Sequence, residues 1–478
     1  MIRRNVGIAA LCAWFAASGL AYAATPESAR LVASDAGSTP SPSSENFGNV
    51  VALSGSVAVV GSLSLNGAYV FERLGERWIQ SAKLTDPTAV STSVFAAAVQ
   101  GDRIALFYGT EVGSRIGIFE RQGQAWPRVA TLGPPVGIDA GFSAEIALDG
   151  DTLAIGDPLS WNAGSESGAV AIYRHGVTGW AVEEVLYVPS DPYVDAFGSS
   201  LALRGDRLVV GAPARSKDTS GYGGAAIVYE RTGSHWTPIV ELHSATPGFS
   251  NLFGSAVALD GDTLVVTATR GEPGHDRYSE GRIEIFDLVG GAWTEVARFT
   301  SDDTAPDGMR PWVVAAQGGT ITVGAYDSSS LEKLAGVVEV FERVGGVWGP
   351  RARLVPSQLP AWEHQGTGVA LDGARVLSGA PYADDGLGAA YVFDIGCALD
   401  AALDPDGDNL CNPTDDCPET WNPDQADTDG DGLGNTCDPS SCASVASPPG
   451  TPARPAASLA PLVMAALAVS RLRKRPSI

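Results

Sequence analysis

An all-β fold built from repeated four-stranded sheets is predicted by three observations. One pattern recurs seven times in the 478 residues, most clearly as "FGSSLALRGDRLVVGAP" (197–213), "FGSAVALDGDTLVVTAT" (253–269) and "FSAEIALDGDTLAIGDP" (142–158). Tryptophan recurs with a period of about 55 residues, a spacing typical of repeat architectures. The chain also contains 57 Gly and 31 Pro and shows no helical periodicity, which favours many short strands joined by turns.

Each repeat supplies four strand candidates. Two apolar segments flank a short turn, a variable loop follows, a third strand such as "GAAIVYERTG" (224–233) comes next, and a Trp opens a fourth strand such as "WTPIVEL". The apolar residues suit sheets that are buried on both faces. Four strands repeated seven times predict a seven-bladed β-propeller over residues 24–396. The fainter copies of the pattern begin near residues 47, 95, 313 and 367, and the recurring tryptophans are Trp78, Trp126, Trp180, Trp236, Trp293 and Trp348.

The two ends of the repeat region indicate how the ring closes. The seventh repeat stops at "AAYVFDIGC" (389–397) without a Trp strand. Near the start of the chain, "ESARLVASD" (27–35) matches the fourth strands "QSAKLTDP" and "GPRARLVPS". We therefore expect residues 28–33 to be the outer strand of the last blade.

The recurring Phe-Gly, Gly-Ala-Pro, aromatic third strand and Trp strand resemble FG-GAP repeats, as in the propeller of integrin α chains and its bacterial relatives. That resemblance implies a propeller with a recognition role at a cell surface. Integrin-type blades often carry an Asp-x-Asp-x-Asp-Gly calcium loop between their first two strands. Here this connection is a short turn in every repeat, such as Gly150-Asp151 or Gly261-Asp262, so we expect no calcium in the blades.

Arg204-Gly205-Asp206 spells a tripeptide that many adhesion ligands present to receptors. In this chain it occupies the same place as "DGD" in the third and fifth repeats and "QGD" in the second. A tight hairpin needs positive φ and a residue that tolerates turns, which Gly and Asp supply. The sequence predicts a turn here, not an adhesion signal.

Residues 397–441 form an acidic segment with two loops in the same register. Positions 1, 3, 5 and 12 of each loop are Asp, the spacing with which EF-hand loops supply oxygen ligands to calcium, and position 7 supplies a main-chain carbonyl. A disordered acidic linker is the alternative, but two loops in register with interleaved cysteines favour a calcium site. The predicted ligands are Asp404, Asp406, Asp408, Leu410 and Asp415 in the first loop and Asp427, Asp429, Asp431, Leu433 and Asp438 in the second.

The stretch "DDCPETWNPDQADTDGDGLGNTCD" (415–438) resembles a thrombospondin type 3 repeat, which also implies bound Ca²⁺. No flanking helices are indicated, so an EF-hand domain is not expected. Four cysteines surround this segment, enough for two disulfides in an exported protein. Three pairings of Cys397, Cys411, Cys417 and Cys437 are open.

Both ends of the chain read as processing segments. Residues 1–23 have a basic start, an apolar stretch and the small-x-small site Ala21-Tyr22-Ala23, which predicts a secretory signal peptide. In residues 442–478 a Cys, a Pro/Ala-rich spacer, a short apolar run and an Arg cluster resemble the C-terminal sorting signals of bacterial surface proteins, especially the myxobacterial type. The resemblance implies surface attachment at Cys442, and the tail is either cleaved or retained. We expect an exported protein at the bacterial cell surface, in the outer membrane or outside the cell.

The charge and the loops decide between function classes. With 31 Lys and Arg against 55 Asp and Glu, the formal charge is −24, which argues against nucleic acid and against membrane contact outside the tail. No catalytic motif is evident, so we expect a non-enzymatic, monomeric binding or adhesion protein whose ligand is a protein or a carbohydrate. A structural envelope protein and a propeller hydrolase or lyase are the alternatives. The expected ligand rim lies on the loops after the second strands and contains Trp161, Tyr222 and Tyr278.

Overall fold

The computed structural model describes fourteen stretches of the chain and two cysteines. They are residues 24–25, 27–39, 44–75, 77–111, 113–133, 145–160, 167–188, 195–215, 223–245, 251–269, 281–300, 311–327, 335–357 and 362–396, with Cys417 and Cys437. Within these residues the strands form seven sheets of four or five strands. The predicted all-β, seven-bladed propeller is confirmed.

The first four blades follow two short strands, β1 (Ala24–Thr25) and β2 (Ala29–Leu31). Blade 1 contains β3 (Val50–Ser54), β4 (Val57–Gly61), β5 (Ala68–Leu74) and β6 (Arg77–Leu84). Blade 2 contains β7 (Ser93–Gln100), β8 (Arg103–Thr110), β9 (Gly113–Glu120) and β10 (Arg128–Leu132). Blade 3 contains β11 (Ile146–Asp149), β12 (Thr152–Asp157), β13 (Ala169–Gly176) and β14 (Gly179–Tyr187). Blade 4 contains β15 (Ser200–Arg204), β16 (Arg207–Ala212), β17 (Ala225–Thr232) and β18 (His235–Leu242).

The last three blades repeat this order. Blade 5 contains β19 (Phe253–Asp260), β20 (Thr263–Ala268), β21 (Arg282–Val289) and β22 (Ala292–Thr300). Blade 6 contains β23 (Val313–Gln317), β24 (Thr320–Ala325), β25 (Val337–Val344) and β26 (Val347–Leu354). Blade 7 contains β27 (Val369–Asp372), β28 (Arg375–Ala380), the single turn α1 (Ala383–Gly386) and β29 (Ala389–Asp394).

Within a blade, consecutive strands pair antiparallel, as short hairpins require. The first strand of each repeat is innermost: these strands contact one another in order around the axis, and β27 contacts β3. The second strands are buried along most of their length, whereas the fourth strand alternates, as in β6, where exposed and partly buried residues follow each other. The burial pattern of each strand thus follows its position between the inner and the outer edge of the blade.

The hydrophobic core is distributed around the ring. Seven clusters of buried apolar side chains each join two neighbouring blades, and the cluster between blades 7 and 1 completes the circle. Phe47, Phe197 and Phe253, the aromatic residues of the Phe-Gly pairs, are fully buried in three of these clusters. Stability therefore depends on every blade having two neighbours.

At glycines of the repeat motif, the backbones of neighbouring blades come into close contact. A Cβ on Gly211 of blade 4 would lie 2.2 Å from the carbonyl oxygen of Gly254 in blade 5, and Gly254 itself has a φ of 91°. Neither position accepts a side chain without movement of the backbone. Three other joints repeat this contact, through the pairs Gly156 and Gly198, Gly324 and Gly366, and Gly379 and Gly48.

The start of the chain pairs with the last two blades. Strand β2 is the outermost strand of blade 7 and runs antiparallel to β29, with Arg30 opposite Tyr391. Strand β1 runs parallel to β26 and is a fifth strand of blade 6. As far as the structure describes them, the other six blades have no fifth strand like β1. With only two residues, β1 is also too short to show a strand pattern in the sequence.

Candidate functional site

The direction of the strands gives the ring two different faces. The first strand of each blade begins where the second strand ends, as Ser200 at the start of β15 pairs with Gly211 near the end of β16. We call this the upper face, and it is the face at which the second strands end. The opposite, lower face carries the short turns between first and second strands.

An axial cavity of about 340 Å³ opens on the upper face. This volume lies at the small end of the range of small-molecule pockets, roughly 300–1,000 Å³. All seven blades contribute to its wall near the start of their first strands. One lining residue from each blade is Asn49, Phe95, Glu145, Ser199, Ser255, Trp312 and Thr367, in blade order.

The three hydroxyls of this set use their protons in the same way. Each donates to the backbone carbonyl three residues earlier, in the turn that leads into the first strand. What such a hydroxyl still offers to a ligand is an oxygen lone pair, because its one proton is taken. The hydrogen bonds run from Ser199 Oγ to Ala196 O (2.7 Å), from Ser255 Oγ to Leu252 O (2.6 Å) and from Thr367 Oγ1 to His364 O (2.7 Å).

The amide of Asn49 offers no free donor to the cavity. Its amide Nδ2 donates to Val94 O at 2.9 Å. Its Oδ1 is buried and has no hydrogen-bond partner among the described residues. The described polar side chains of the cavity are therefore rich in acceptors and poor in donors.

Glu145 is the only ionisable residue among the described residues that line the cavity. Its side chain is exposed to solvent through the opening. Partial desolvation raises the pKa of Glu145 to about 7, and a hydrogen bond from the backbone N–H of Ile146 acts in the opposite direction. Near neutral pH the cavity thus contains a carboxylate, and none of its described lining residues is a cation.

Aromatic side chains complete the wall, and one of them is held by a stack. The Trp312 ring lies 5.5 Å from the Tyr326 ring, and Tyr326 lies 5.7 Å from His364, both pairs stacked. His364 in turn contacts Tyr382 at 4.7 Å. Burial lowers the pKa of His364 and keeps this ring neutral at pH 7. The stack fixes the orientation of Trp312 at the cavity.

The lower face carries a ring of hydrogen bonds between blades. At six joints the last residue of a first strand accepts a hydrogen bond from the backbone N–H of the turn glycine in the next blade. Arg204 has no acceptor atom, and its guanidinium instead contacts Asp260. The six accepting side chains are Ser54, Gln100, Asp149, Asp260, Gln317 and Asp372.

The tripeptide at 204–206 belongs to this ring. Arg204 pairs with Arg207 across a two-residue turn, and Gly205 has a φ of 57°, which confirms the predicted hairpin. Asp206 accepts a hydrogen bond from Arg231 Nε at 2.8 Å. Both charged side chains of the tripeptide are thus bound within the propeller.

A second cavity, of about 390 Å³, lies on the lower face between blades 2 and 3. Its charged side chains form ion pairs with one another or with neighbours. Arg103 contacts Glu120 at 2.9 Å and Asp151 at 3.2 Å, and Arg121 contacts Asp102 at 3.0 Å. This paired arrangement leaves little charge for a ligand.

The predicted ligand rim lies outside the described residues. Trp161, Tyr222 and Tyr278 belong to connections that follow β12, β16 and β20. These strands end on the upper face, the same face as the axial cavity. The positions of the three side chains are not described, so the ligand rim stays a prediction.

The predicted calcium ligands and the attachment cysteine also lie outside the described residues. These are Asp404, Asp406, Asp408, Leu410, Asp415, Asp427, Asp429, Asp431, Leu433, Asp438 and Cys442. In the same region Cys417 and Cys437 are joined by a disulfide, with their Cα atoms 5.6 Å apart. Of the three open pairings, this selects the one that links Cys417 with Cys437.

The described part of the chain contains neither a metal-binding cluster nor a membrane-spanning helix. No group of three or more His, Cys, Asp or Glu side chains is placed to hold a metal ion within the described stretches. None of the helices in those stretches has the length and apolar character needed to cross a bilayer.

Sequence reasoning missed the axial cavity, although one signal was present. When the repeats are aligned at their turns, Glu145 occupies the position of Val50, Ser200, Ala256 and Gly368. It is the only charged residue at that position among these five repeats. A carboxylate in a column of small or apolar residues marks a site that a comparison of repeats can find.

Comparison with known proteins gives one family match. No curated protein matches the chain. A solved structure of a protein from Lactobacillus plantarum has 13% identity and a TM-score of 0.45, covering 65% of this chain and 86% of its own. The β-propeller domain of Myceliophteria thermophila Cps50 (Swd1) has 13% identity and a TM-score of 0.46, covering 71% of this chain and 93% of its own. Residues 188–229, which include β15, β16 and most of β17, match the family model of the FG-GAP repeat.

Proposed function

We propose that this protein is a non-enzymatic recognition protein of the cell surface, which binds its ligand at the upper face of the propeller. The observation that carries the proposal is the axial cavity, to which all seven blades contribute. A concave site with a few convergent polar groups is the usual form of a small-ligand pocket. The FG-GAP repeat match and the propeller fold are compatible with such a role.

The hydrogen bonds of the cavity favour binding over catalysis. A nucleophilic hydroxyl needs a base within hydrogen-bond reach. Ser199, Ser255 and Thr367 instead donate to backbone carbonyls. Glu145 accepts from the backbone of Ile146. The described groups are thus arranged to hold a ligand in place.

Residues 397–441 are proposed to act as a calcium-stiffened spacer that carries the propeller. The disulfide supports this, because it closes a segment with a sequence separation of 20 that contains Asp427, Asp429 and Asp431. A closed loop has fewer conformations to lose when its carboxylates gather around an ion. In this proposal calcium neutralises the acidic loops, and the predicted ligands hold it.

Export and attachment complete the proposal. The signal-like residues 1–23 direct the chain out of the cytoplasm, and Cys442 attaches it to the surface. Both parts rest on the sequence patterns and on the cell-surface setting in which FG-GAP repeats typically occur. Labelling intact cells with a membrane-impermeant reagent tests them, because an intracellular protein would not be labelled.

A pull-down of the purified protein with whole bacterial cells tests recognition. We expect the protein to bind cells, and we expect Trp312→Ala to weaken binding by about tenfold or more, because hot-spot aromatic residues dominate such interfaces. Leu74→Ala is the control, since Leu74 is 62% exposed at the lower-face end of β5. The thermal midpoint of each variant shows whether it folds.

The alternative, a structural envelope protein without a specific ligand, predicts a different pattern. In that case no cell preparation retains the protein, or Trp312→Ala and Leu74→Ala bind as well as the parent. Ser255→Ala is a milder second change at the cavity, should Trp312→Ala fail to fold. Equal binding by all folded variants would overturn the upper-face assignment.

A further inference from the structure

We propose that the axial cavity binds an alkylammonium group, an aliphatic chain that ends in a protonated primary amine, such as a lysine side chain. This inference rests on the proposed function and deepens it by naming the ligand chemistry. Three properties of the cavity support it: the hydrogen-bonding character of its polar groups, its charge and the side chains of its walls.

The hydrogen-bonding character requires a ligand that donates. The hydroxyl protons of Ser199, Ser255 and Thr367 are bound to carbonyls, so these hydroxyls can act toward a ligand only as acceptors. Ser255 Oγ also lies 3.3 Å from Thr269 Oγ1. A primary ammonium has three N–H donors and no acceptor, which complements them. A ligand rich in carboxylate or carbonyl oxygens would find few donors on these side chains.

The charge of the cavity requires a cation. Glu145 is the one ionisable residue among the described lining residues, and no Lys or Arg occurs in the eleven residues that precede it, 134–144. A partly desolvated carboxylate is stabilised by a positively charged partner. An ammonium group supplies a counter-charge that the described lining residues lack, and the net charge of −24 draws cations toward the protein.

The walls favour an aliphatic stem behind the charged group. Phe95 and Trp312 line the cavity together with Val51, Val257 and Val369. Apolar side chains stabilise methylene groups, and aromatic faces attract a nearby cation. An amino sugar matches the charge, but its ring and hydroxyl oxygens would find few donors on the described side chains, so the alkyl chain is the better fit.

Calorimetric titration of the purified protein with n-butylamine at pH 8 is the test. We expect binding of n-butylamine and no binding of n-butanol, which has the same stem without the charge. Glu145→Gln should weaken the amine by tenfold or more. The matched control is Glu363→Gln, because Glu363 is a buried carboxyl whose pKa is also raised to about 7 but which lies outside the cavity.

The dependence on pH gives a second readout. With a pKa of about 7, Glu145 is about one-tenth ionised at pH 6 and about nine-tenths at pH 8, so the affinity should rise about tenfold over this range. In Glu145→Gln this rise should disappear. A merely structural role of Glu145 would change the thermal midpoint without removing the pH dependence of binding.

Two further probes identify the source of the amine. Binding of Nα-acetyl-lysine methylamide together with n-butylamine points to a lysine of a protein partner, whereas binding of n-butylamine alone points to a free amine. The proposal is overturned if n-butanol or glucosamine binds as tightly as n-butylamine, or if Glu145→Gln leaves the amine affinity unchanged. If Glu145→Gln still binds cells but no protein form binds amines, the recognition role stands and the ligand chemistry is wrong.

Discussion

Arg204 Nη2 lies 3.3 Å from Asp260 Oδ1, across the joint between blades 4 and 5. At two other joints a glutamine occupies the equivalent position. Gln317 accepts from Gly373 N at 2.6 Å and donates to Asp372 at 3.2 Å, and Gln100 bonds to blade 3 in the same way. Arg204 thus replaces a two-bond link with a single charged contact.

The first prediction concerns this joint. Arg204→Gln should reproduce both bonds of Gln317, because Asp260 and Gly261 stand where Asp372 and Gly373 stand in blade 7. We expect the free energy of unfolding to change by less than about 1 kcal/mol, since an exposed ion pair is exchanged for two hydrogen bonds. Gln317→Ala, which removes such a link, should lower it by about 1–2 kcal/mol. Urea unfolding compares the two.

A second substitution of Arg204 addresses adhesion. Arg204→Ala should retain the cell binding of the parent, because Arg204 lies on the lower face and Asp206 is bound by Arg231. Loss of cell binding by a folded Arg204→Ala protein would show that the tripeptide is a recognition signal. A larger loss of stability in Arg204→Gln than in Gln317→Ala would contradict the reading of the joint.

The second prediction concerns the glycine contacts between blades. Gly211→Ala should lower the free energy of unfolding by roughly 3 kcal/mol or more, because the new methyl group meets the backbone oxygen of Gly254. Gly176→Ala is the control, since a Cβ there meets nothing within 4 Å. Chemical denaturation measures both, and equal stabilities of the two variants would refute the contact.

The third prediction concerns closure of the ring. Deleting residues 24–35 removes β2 and exposes the edge of β29, so the unfolding midpoint should fall strongly. A shorter deletion of residues 24–26 removes only β1 and should cost less, because β26 keeps its partner β25. Circular dichroism during heating separates the two. Identical midpoints for the long deletion and the parent would exclude a closing role for β2.

The fourth prediction concerns acid stability. Asp86 is nearly fully buried, accepts from Tyr108 at 3.0 Å and pairs with Arg128 at 2.9 Å. Burial acts to raise the pKa of Asp86, but hydrogen bonds from Thr88, Arg128 and Tyr108 outweigh it and hold the pKa well below its usual value. A depressed pKa contributes stability above about pH 4, and this contribution is lost as the pH falls further.

Asp86→Asn should therefore destabilise the protein by roughly 2 kcal/mol at pH 7, the size of a hydrogen bond to a charged group. The difference from the parent should shrink as the pH falls below about 4. Unfolding at several pH values measures this. A difference that stays constant down to pH 2 would mean that the charge of Asp86 makes no contribution.

The fifth prediction concerns calcium. The protein should bind at least two Ca²⁺ ions, and Asp427→Ala with Asp429→Ala should remove one of them. Binding to the folded form should raise the stability of residues 397–441, whereas the propeller, with its short turns, should hardly respond. Calorimetric titration counts the ions, with Asp206→Ala as a control in the propeller. No calcium heat from the parent would refute both loops.

The sequence predicts strands better than it predicts the site. The blades follow from period-two patterns and from a motif repeated often enough to be aligned, and both are local. The cavity depends on bringing Glu145 near Trp312, residues far apart in the chain, and nothing local encodes that closure. The contact of Arg204 with Asp260 is hidden for the same reason. Strand β1 could not be predicted from the sequence, because it forms only by pairing with the outer strand of blade 6, β26.

The position of β29 has a mechanical consequence. This last strand of the ring is hydrogen-bonded to β28 on one side and to β2 on the other. A pull on the chain beyond residue 396 therefore loads two ladders together, and the bonds share the force along the strand. A strand at the outer edge would resist through a single ladder. Tension along the tail would thus act on a strand that is hydrogen-bonded on both sides. Blade 7 would therefore resist separation from the ring.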